Sequence, residues 1–120
     1  MIGYTILEFQ CISSTNTYLK ENYQDLSDFT VVRTEFQTTG KGQFDRTWEA
    51  EPGKNLLFSI LFKQIPLNHM NKLQDWIIIS LSKLFKDLQI ETYFKMPNDF
   101  YVNQNKICGI LTETKIQKNT

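Results

Sequence analysis

The strongest periodic signal in the sequence lies in residues 67–89, LNHMNKLQDWIIISLSKLFKDLQ. Apolar residues recur there at intervals of three and four, which predicts one long amphipathic helix. The residues on its apolar face are Met70, Leu73, Ile77, Leu81, Leu84 and Leu88. Asn68 is expected near the N-terminal cap. Because a helix of this kind must bury its apolar face, we expect it to pack against a sheet.

Short segments rich in β-branched and aromatic residues predict strands before and after this helix. They are YTILEFQCI (4–12), FTVVRTEFQ (29–37), KNLLFSILFK (54–63), IETYFK (90–95) and a hairpin within FYVNQNKICGILTETKI (100–116). A short helix is expected after SSTN, and the apolar run 54–63 is expected to be covered on both faces. The order βαββα followed by two or three strands predicts an α+β fold, with a mixed or antiparallel sheet and helices on one face.

Composition excludes several classes of function. The 120 residues fit one domain, and 13 basic residues balance 13 acidic ones, so no bulk charge favours nucleic acid or an anionic membrane. The apolar runs are too short to span a bilayer, and the N-terminus has no signal-peptide pattern. His69 is the single histidine, which argues against a His/Cys metal site. Cys11 and Cys108 are expected to be buried free thiols in a reducing, cytoplasmic setting.

Four polar clusters fall at the ends of the predicted strands, where sites are often assembled. They are SSTN (13–16), QTTGKGQFDR (37–46), KMPND (95–99) and NKICGI (105–110). Taken singly, they are also consistent with a helix cap, a surface loop, a turn and solvated lysines. The glycine loop could offer N–H groups, Lys41 and Arg46 to a phosphate. Its spacing matches neither the Walker A motif nor the dinucleotide fingerprint.

Taken in order, six motifs resemble the catalytic domain of biotin protein ligases over residues 4–116. The motifs are STN (14–16), QTTGKG (37–42), RTW (46–48), GKNLLFS (53–59), KMPND (95–99) and KICGILTE (106–113). The resemblance implies an enzyme that uses ATP and Mg²⁺ to convert biotin to biotinyl-5′-AMP. Biotin then passes to a lysine of a biotin carboxyl carrier domain, the expected protein partner. The glycine loop is expected to close over biotin and its adenylate, which keeps water from the mixed anhydride.

The resemblance also implies a role for individual residues. Lys106 is expected beside the biotin carboxylate and the α-phosphate, with Arg46 on the phosphate side, and both are assigned to catalysis. The residues expected to bind biotin are Ser14, Thr15, Asn16, Gln37, Gly40, Lys41, Gly42, Gly109 and Leu111, with Gly40, Lys41 and Gly42 at the crest of the loop. Those assigned to ATP or the adenylate are Gln43, Trp48, Lys95 and Asn98. Asp99 is assigned to Mg²⁺.

The sequence departs from the family pattern in three places. Gln43 stands where many members carry arginine, and the loss of that contact predicts looser retention of the adenylate, by about 1.5–3 kcal/mol. Met96 replaces the usual tryptophan before Pro-Asn-Asp. The third departure is length: residues 1–120 are expected to form a partial catalytic domain, without a DNA-binding domain, the rest of the catalytic domain or a C-terminal barrel. A sheet edge at 106–116 would then be exposed, which predicts marginal stability or a homodimer.

Two other functions fit the same residues. One is a catalytically incompetent biotin-binding or structural fragment of such a ligase. The other is a lipoate or octanoate transferase on the same scaffold. The second is disfavoured because the sequence lacks the arginine-rich entry motif and the SGGG-like loop of that group.

Overall fold

The computed structural model describes residues 3–42, 44 and 46–116. Its elements are β1 (Thr5–Ile12), α1 (Thr15–Asn22), β2 (Thr30–Gln37), β3 (Leu57–Ile60), α2 (Met70–Asp87), β4 (Tyr93–Lys95), β5 (Asp99–Val102) and β6 (Asn105–Gly109). The order confirms the predicted βαββα followed by two or three strands, of which three are observed, and the α+β class is confirmed. The strands form two three-stranded sheets, β1-β2-β3 and β4-β5-β6, where one sheet was expected.

The chain divides into two compact units. Unit 1 comprises Met1–Gln64 and Glu113–Thr120, and unit 2 comprises Ile65–Thr112. Each unit contains one of the two sheets and one of the two α-helices. The domain composition expected from the sequence stays a prediction. Within the described ranges, no helix is both long enough and apolar enough to cross a membrane.

Unit 1 is a β-α-β arrangement with an added strand. Strand β1 pairs with β2 in parallel, and β2 pairs with β3 in antiparallel orientation. Parallel neighbours need a crossover connection, and α1 supplies it while packing against β2 and β3. The buried apolar side chains of this layer are Leu19, Val32 and Leu57. The core of unit 1 therefore lies between α1 and the β2–β3 side of the sheet.

Two expectations about unit 1 are wrong. Strand β3 is covered on one face only: Leu57 and Ser59 are buried, whereas Phe58 and Ile60 are 43% and 40% exposed. Side chains alternate across a strand, and α1 covers only one side of this sheet, so the apolar run does not indicate two-sided burial here. Cys11 is also exposed rather than buried, on the edge strand β1, whereas Cys108, which belongs to unit 2, is half-buried.

Unit 2 is an antiparallel meander whose inner face carries aromatic residues. Phe100 is 1% exposed, and its ring centroid lies 5.3 Å from that of Phe85 on α2 and 5.1 Å from that of Phe94 on β4. Aromatic pairs at these distances stabilise a core beyond the area that they bury. The predicted packing of the long helix on a sheet is confirmed in this contact.

Helix α2 begins close to where the sequence predicts and differs from expectation toward its C-terminal end. The residue at its N-cap position is His69, which makes no capping bond through its side chain. Asn68 precedes it, inside the 3₁₀ turn Leu67–His69, so the prediction that the cap region lies at Asn68 is correct to within one residue. On the predicted apolar face, Leu84 and Leu88 are 47% and 59% exposed. The rest of that face is half-buried, so the face is covered most over the first part of the helix.

Candidate functional site

Two sequence motifs of unit 1, SSTN (13–16) and QTTGKGQFDR (37–46), begin at the carboxyl ends of the parallel strands β1 and β2, and their first residues meet there. Past the strands, the Thr38 N–H donates to the Ile12 carbonyl (3.1 Å) and the Thr39 N–H to the Ser13 carbonyl (2.8 Å). These bonds continue the parallel pairing into the loops and so bring SSTN beside QTTG. Ligand sites commonly form at this edge of a parallel pair. Two motifs that are separate in sequence therefore become one surface.

Helix α1 is fixed to the end of β2 through its first residues. Ser14 is the N-cap, with extended backbone, and its hydroxyl oxygen accepts from the Thr17 N–H at 3.3 Å. The Thr15 N–H, which has no partner inside the helix, donates to Gln37 Oε1 at 2.9 Å. The simple explanation of SSTN as a helix cap is thus true of Ser14. The predicted role of Ser14 in binding biotin stays a prediction.

A cluster of four side chains, Thr15, Asn16, Gln37 and Ser59, lies at this helix start. We call it the polar cluster. The Thr15 and Ser59 hydroxyl oxygens are 2.6 Å apart, and Thr15 Oγ1 is 3.2 Å from Gln37 Oε1. The Ser59 hydroxyl donates to Asn16 Oδ1. Thr15 and Ser59 are buried, so these bonds form away from water and hold the groups in fixed positions.

Ser59 was not among the predicted site residues, although it ends the GKNLLFS motif. A signal was available in the sequence: Leu57 and Ser59 stand two apart on a strand and so face the same side. A serine on a buried face needs a hydrogen-bond partner, which suggests a polar neighbour inside. The structure supplies two partners, Thr15 and Asn16.

Glu113 and Lys20 extend the polar cluster toward solvent. The Asn16 amide nitrogen Nδ2 donates to Glu113 Oε1 at 3.1 Å, and Lys20 Nζ lies 2.7 Å from Glu113 Oε2. Burial raises the pKa of Glu113, but hydrogen bonds from Lys20 and Asn16 and the charges of Lys20 and Lys41 outweigh it, so this pKa is lowered overall. Neither residue was predicted as part of the site, since Glu113 is 97 positions from Asn16.

The glycine loop is a short hairpin stem rather than an irregular loop. The Trp48 N–H donates to the Gly40 carbonyl (2.8 Å), the Gly42 N–H donates to the Arg46 carbonyl (2.7 Å), and Lys41 bridges to Thr47 between them. Gly40, Lys41 and Gly42 therefore form one arm of the stem and not the crest, which corrects the prediction. The four-residue spacing of Gly42 and Arg46 closes the antiparallel pairing.

Individual positions of the stem differ in packing. Gly40 is buried, and a Cβ there would meet the Trp48 carbonyl oxygen and come 3.0 Å from Gln37 Nε2. Lys41 and Arg46 are exposed, and Trp48 is half-buried. Phe44 is 87% exposed with φ of +55°. Gln43 lies outside the described residues, so its assignment to the adenylate is a prediction only.

In unit 2, the predicted charged residues share one face of the β4-β5-β6 sheet. Lys95 lies directly across from Asp99, and Asp99 across from Gly109. Lys106 Nζ is 2.9 Å from Asp99 Oδ1, and Lys95 Nζ lies 5.6 Å from the centre of the Tyr101 ring. Cross-strand neighbours project to the same side of a sheet. Three residues that the sequence assigned to the phosphate side are thus brought together.

Asn98 is held in the turn between β4 and β5. It is 8% exposed, its Oδ1 accepts from Gln74 Nε2 on α2 (2.9 Å), and its carbonyl accepts from the Ile110 N–H (3.0 Å). The turn predicted for Pro-Asn-Asp is confirmed, and the Asn98 side chain fastens it to the helix. Gly109 ends β6 and Leu111 is half-buried just beyond it. The ATP role of Asn98 and the biotin roles of Gly109 and Leu111 stay predictions.

The described residues do not build a protein metal site. No group of three His, Cys, Asp or Glu side chains among residues 3–42, 44 and 46–116 is placed to hold a metal ion. Asp99, assigned to Mg²⁺, is a single carboxylate that already pairs with Lys106. Mg²⁺ is usually held by one or two carboxylates together with substrate phosphates. The assignment of Asp99 to Mg²⁺ therefore stays a prediction.

Comparison with known proteins identifies the family. The model of the biotin/lipoate A/B protein ligase family matches residues 8–120. The bifunctional ligase/repressor BirA of Bacillus subtilis is 26% identical over 99% of this chain and 38% of its own length. BirA of Escherichia coli is 30% identical over 92% of this chain and 35% of its own length. The chain belongs to the biotin/lipoate A/B protein ligase family.

A solved structure shows the same fold. The biotin acetyl coenzyme A carboxylase synthetase of Helicobacter pylori, with bound biotinylated ATP, matches with a TM-score of 0.77 and 26% identity. The match covers 94% of this chain and 56% of that structure. The chain thus has the biotin–protein ligase fold, and it spans well under half the length of the curated relatives that it matches.

Proposed function

We propose that this chain is part of an ATP-dependent biotin–protein ligase, which forms biotinyl-5′-AMP and transfers biotin to a lysine of a biotin carboxyl carrier domain. The polar cluster at the start of α1 is the observation that carries this proposal. It places hydroxyl and amide groups of three elements, α1, β2 and β3, within hydrogen-bond distance of one another. The names of the relatives and the ligand of the H. pylori protein support the same reaction.

The polar cluster suits the ureido ring of biotin. That ring is small, planar and neutral, with two N–H donors and one carbonyl acceptor. Hydroxyl and amide side chains can both donate and accept, so Thr15, Gln37 and Ser59 can match such a pattern. Because Thr15 and Ser59 are buried, an analogue that lacks a matching polar group would leave them unpaired, which is the basis of strong discrimination.

The charged face of unit 2 suits the reaction at the phosphate. In adenylation, a biotin carboxylate oxygen attacks the α-phosphorus of ATP and pyrophosphate leaves. This step brings anions together and needs fixed cations where charge accumulates. Lys106 and Lys95 supply positive charge, and the pairing of Lys106 with Asp99 holds one of them in place. In the second step, a lysine amine of the carrier attacks the acyl carbon and AMP leaves.

The glycine-loop stem supports a covering role. Its two arms are joined by two backbone hydrogen bonds, Trp48 N–H to the Gly40 carbonyl and Gly42 N–H to the Arg46 carbonyl, which flank the bridge of Lys41 with Thr47. A segment paired in this way can cover a bound ligand and shield a reactive mixed anhydride from water. We extend the proposal to a cytoplasmic location and to homodimer formation, as expected from the sequence.

The test is isothermal titration calorimetry of the 120-residue chain with biotin, then with biotin plus Mg-ATP. We expect saturable biotin binding, pyrophosphate release on adding Mg-ATP, and at least tenfold weaker binding in Thr15→Val, which leaves Gln37 and Ser59 without the hydroxyl. Thr5→Val, an exposed threonine at the start of β1, is the matched control and should bind as the native chain does.

Three outcomes count against the proposal or a part of it. Absence of heat with biotin from a folded chain would contradict biotin binding. Binding of lipoate in preference to biotin would transfer the chain to the other branch of its family. If biotin binds but no pyrophosphate is released, the chain is a biotin-binding fragment without the ligase activity, and the proposed adenylation step is contradicted for this chain.

A further inference from the structure

The charged pair Glu113 and Lys20 lies at the outer end of the polar cluster. We propose that this pair sets the hydrogen-bond direction of the cluster by fixing the side-chain amide of Asn16. Glu113 is then a positioning residue of the proposed biotin site, acting through Asn16 rather than on the ligand. The proposal rests in part on the proposed function, because it assigns a consequence for binding as well as for the cluster itself.

The first step concerns the amide of Asn16. Its oxygen and nitrogen are nearly equal in shape, so its orientation is decided by its hydrogen-bond partners. An ionised carboxylate can only accept, and Glu113 Oε1 lies 3.1 Å from Asn16 Nδ2. The nitrogen must therefore face Glu113, which directs Oδ1 toward the Ser59 hydroxyl. Without that carboxylate, the reverse orientation of the amide would be allowed.

The second step concerns the hydroxyl protons. Ser59 has one proton, and it donates that proton to Asn16 Oδ1. The Ser59 oxygen then accepts in its contact with Thr15, 2.6 Å away, so the single Thr15 hydroxyl proton is directed there and is shared only weakly with Gln37 Oε1, the longer contact at 3.2 Å. Thr15 consequently offers only lone pairs to any further partner, which favours a ligand group that carries an N–H donor. The direction of three bonds thus follows from one carboxylate.

Lys20 holds the carboxylate in place. Asn16 and Lys20 are four residues apart on α1 and so lie on the same face of the helix. Each uses a different oxygen of Glu113: Nδ2 of Asn16 bonds to Oε1, and Nζ of Lys20 lies 2.7 Å from Oε2. The side chains of Lys20 and Glu113 are 47% and 29% exposed, where an ion pair adds little stability. The effect of the pair is therefore expected on orientation more than on folding.

The charge state of Glu113 is consistent with this role. Burial raises its pKa, yet hydrogen bonds from Lys20 and Asn16, with the charges of Lys20 and Lys41, bring it below the ordinary value. The groups that face the carboxylate are therefore two on α1 and one on the glycine-loop stem. The carboxylate stays ionised, and so stays an acceptor only, throughout the neutral range.

The ligand-free test is nuclear magnetic resonance of the Asn16 side-chain amide in the 120-residue chain. In the native chain, we expect its resonances to move as Glu113 is protonated in acid, at a lower pH than an ordinary glutamate because its pKa is lowered. In Glu113→Gln this movement should disappear. The proposal would be overturned if the Asn16 side-chain resonances of the native chain do not change with pH and are the same in Glu113→Gln. Because no ligand is needed, this result is independent of whether biotin binds.

The binding test measures the biotin Kd and the Tm of the same variants. Glu113→Ala should weaken biotin about tenfold, the worth of one charge-assisted hydrogen bond, with little change in Tm. Glu113→Gln should recover part of the loss, because it can still accept from Asn16. Glu51→Gln is the matched control, since Glu51 makes a comparable surface pair with Lys54, 2.9 Å apart, and should bind normally.

The two tests separate the failure of this proposal from the failure of the proposed function. If the native chain does not bind biotin but the Asn16 amide resonances depend on pH, Glu113 orients Asn16 as proposed and the proposed function is contradicted. A Glu113→Ala variant that is folded and binds biotin within about twofold of the native Kd would overturn the positioning role.

Discussion

The polar cluster of unit 1 and the charged sheet face of unit 2 are built in opposite ways. In unit 1, Thr15 and Ser59 are 4% and 9% exposed and bond to each other and to amide side chains. In unit 2, the Lys106 and Asp99 side chains are 36% and 26% exposed, and Lys95 is also exposed. The first region is a closed hydrogen-bond network of mostly neutral groups. The second is an open surface on which charge is concentrated.

The difference corresponds to the two tasks of the proposed enzyme. Recognition of a small neutral ring needs donors and acceptors held in advance and away from water. Stabilising a reacting phosphate needs positive charge held where negative charge develops, and the pairing of Lys106 with Asp99 holds one cation in place. Substitutions of the buried Thr15 and Ser59 should therefore alter binding and packing together. Those on the sheet face of unit 2 should alter the reaction with little effect on folding.

The largest expected effect is a loss of stability in the aromatic core of unit 2, on the side of the sheet opposite the charged residues. Phe100→Ala removes the buried ring that contacts Phe85 and Phe94, which should cost about 3–5 kcal/mol of unfolding free energy. Phe44→Ala, at a position that is 87% exposed, is the matched control and should cost almost nothing. Urea denaturation followed by circular dichroism measures both. Equal costs would mean that the aromatic layer does not support the sheet.

The next effect concerns the glycine-loop stem. Gly40→Ala places a Cβ against the Trp48 carbonyl oxygen and 3.0 Å from Gln37 Nε2, so the stem or Gln37 must shift, at about 1–3 kcal/mol. At Gly42 the nearest atom to an added Cβ is Arg46 Cβ at 3.4 Å, an ordinary contact. Gly42→Ala should therefore be close to neutral. Thermal melts and biotin titration compare the two, and a Gly42→Ala loss as large as that of Gly40→Ala would contradict this difference.

A third substitution separates reaction from folding in unit 2. Lys106→Gln breaks a partly exposed ion pair and should change stability by about 0–1 kcal/mol. The rate of pyrophosphate release should nevertheless fall about 100-fold, because a fixed cation is lost where charge develops. Lys83→Gln, an exposed lysine of α2, should leave the rate unchanged. A Lys106→Gln variant of normal rate would remove unit 2 from the proposed chemistry.

The smallest effect is the pH dependence of Glu113. Its lowered pKa means that the folded state stabilises the carboxylate, a contribution that is complete above the unfolded value of about 4.3 and is lost as pH falls through the folded pKa. At pH 7, the free energy of unfolding of Glu113→Gln should therefore be lower than that of the native chain by about 0–1 kcal/mol. This difference should disappear in acid, where the native carboxylate is protonated. Melting curves between about pH 7 and 3 test this, and a constant gap would contradict the pKa direction.

Local pattern was sufficient to predict most of the fold. The three–four spacing in residues 67–89 predicted α2, and β-branched segments predicted six strands in the observed order. The burial of each strand face was harder to predict, because it depends on which other element packs against that face. Phe58 and Ile60 read as buried from the apolar run around them, but α1 covers only the other side of that sheet. The stem at Gly40 was missed, since its pairing is with residues across an irregular segment.

The candidate site was predicted only in part, for the same reason. Motif order pointed to Thr15, Asn16 and Gln37, and the parallel pairing of β1 with β2 brings them together. Glu113 ends the KICGILTE motif but was assigned no role, because its contact with Asn16 depends on the path of the chain across 97 positions. Asn98 shows the opposite case: a residue chosen for ATP is also the anchor of its own turn.

The most direct measurement is a biotin titration of the ¹⁵N-labelled chain followed by backbone and side-chain resonances. If the polar cluster binds the ring of biotin, the largest shifts should fall on Thr15, the Gln37 side-chain amide and Ser59, with saturation at one equivalent. Thr5, on the exposed start of β1, should not respond. A folded chain with no shifts in the cluster, or with its largest shifts elsewhere, would contradict the assignment of this cluster to biotin.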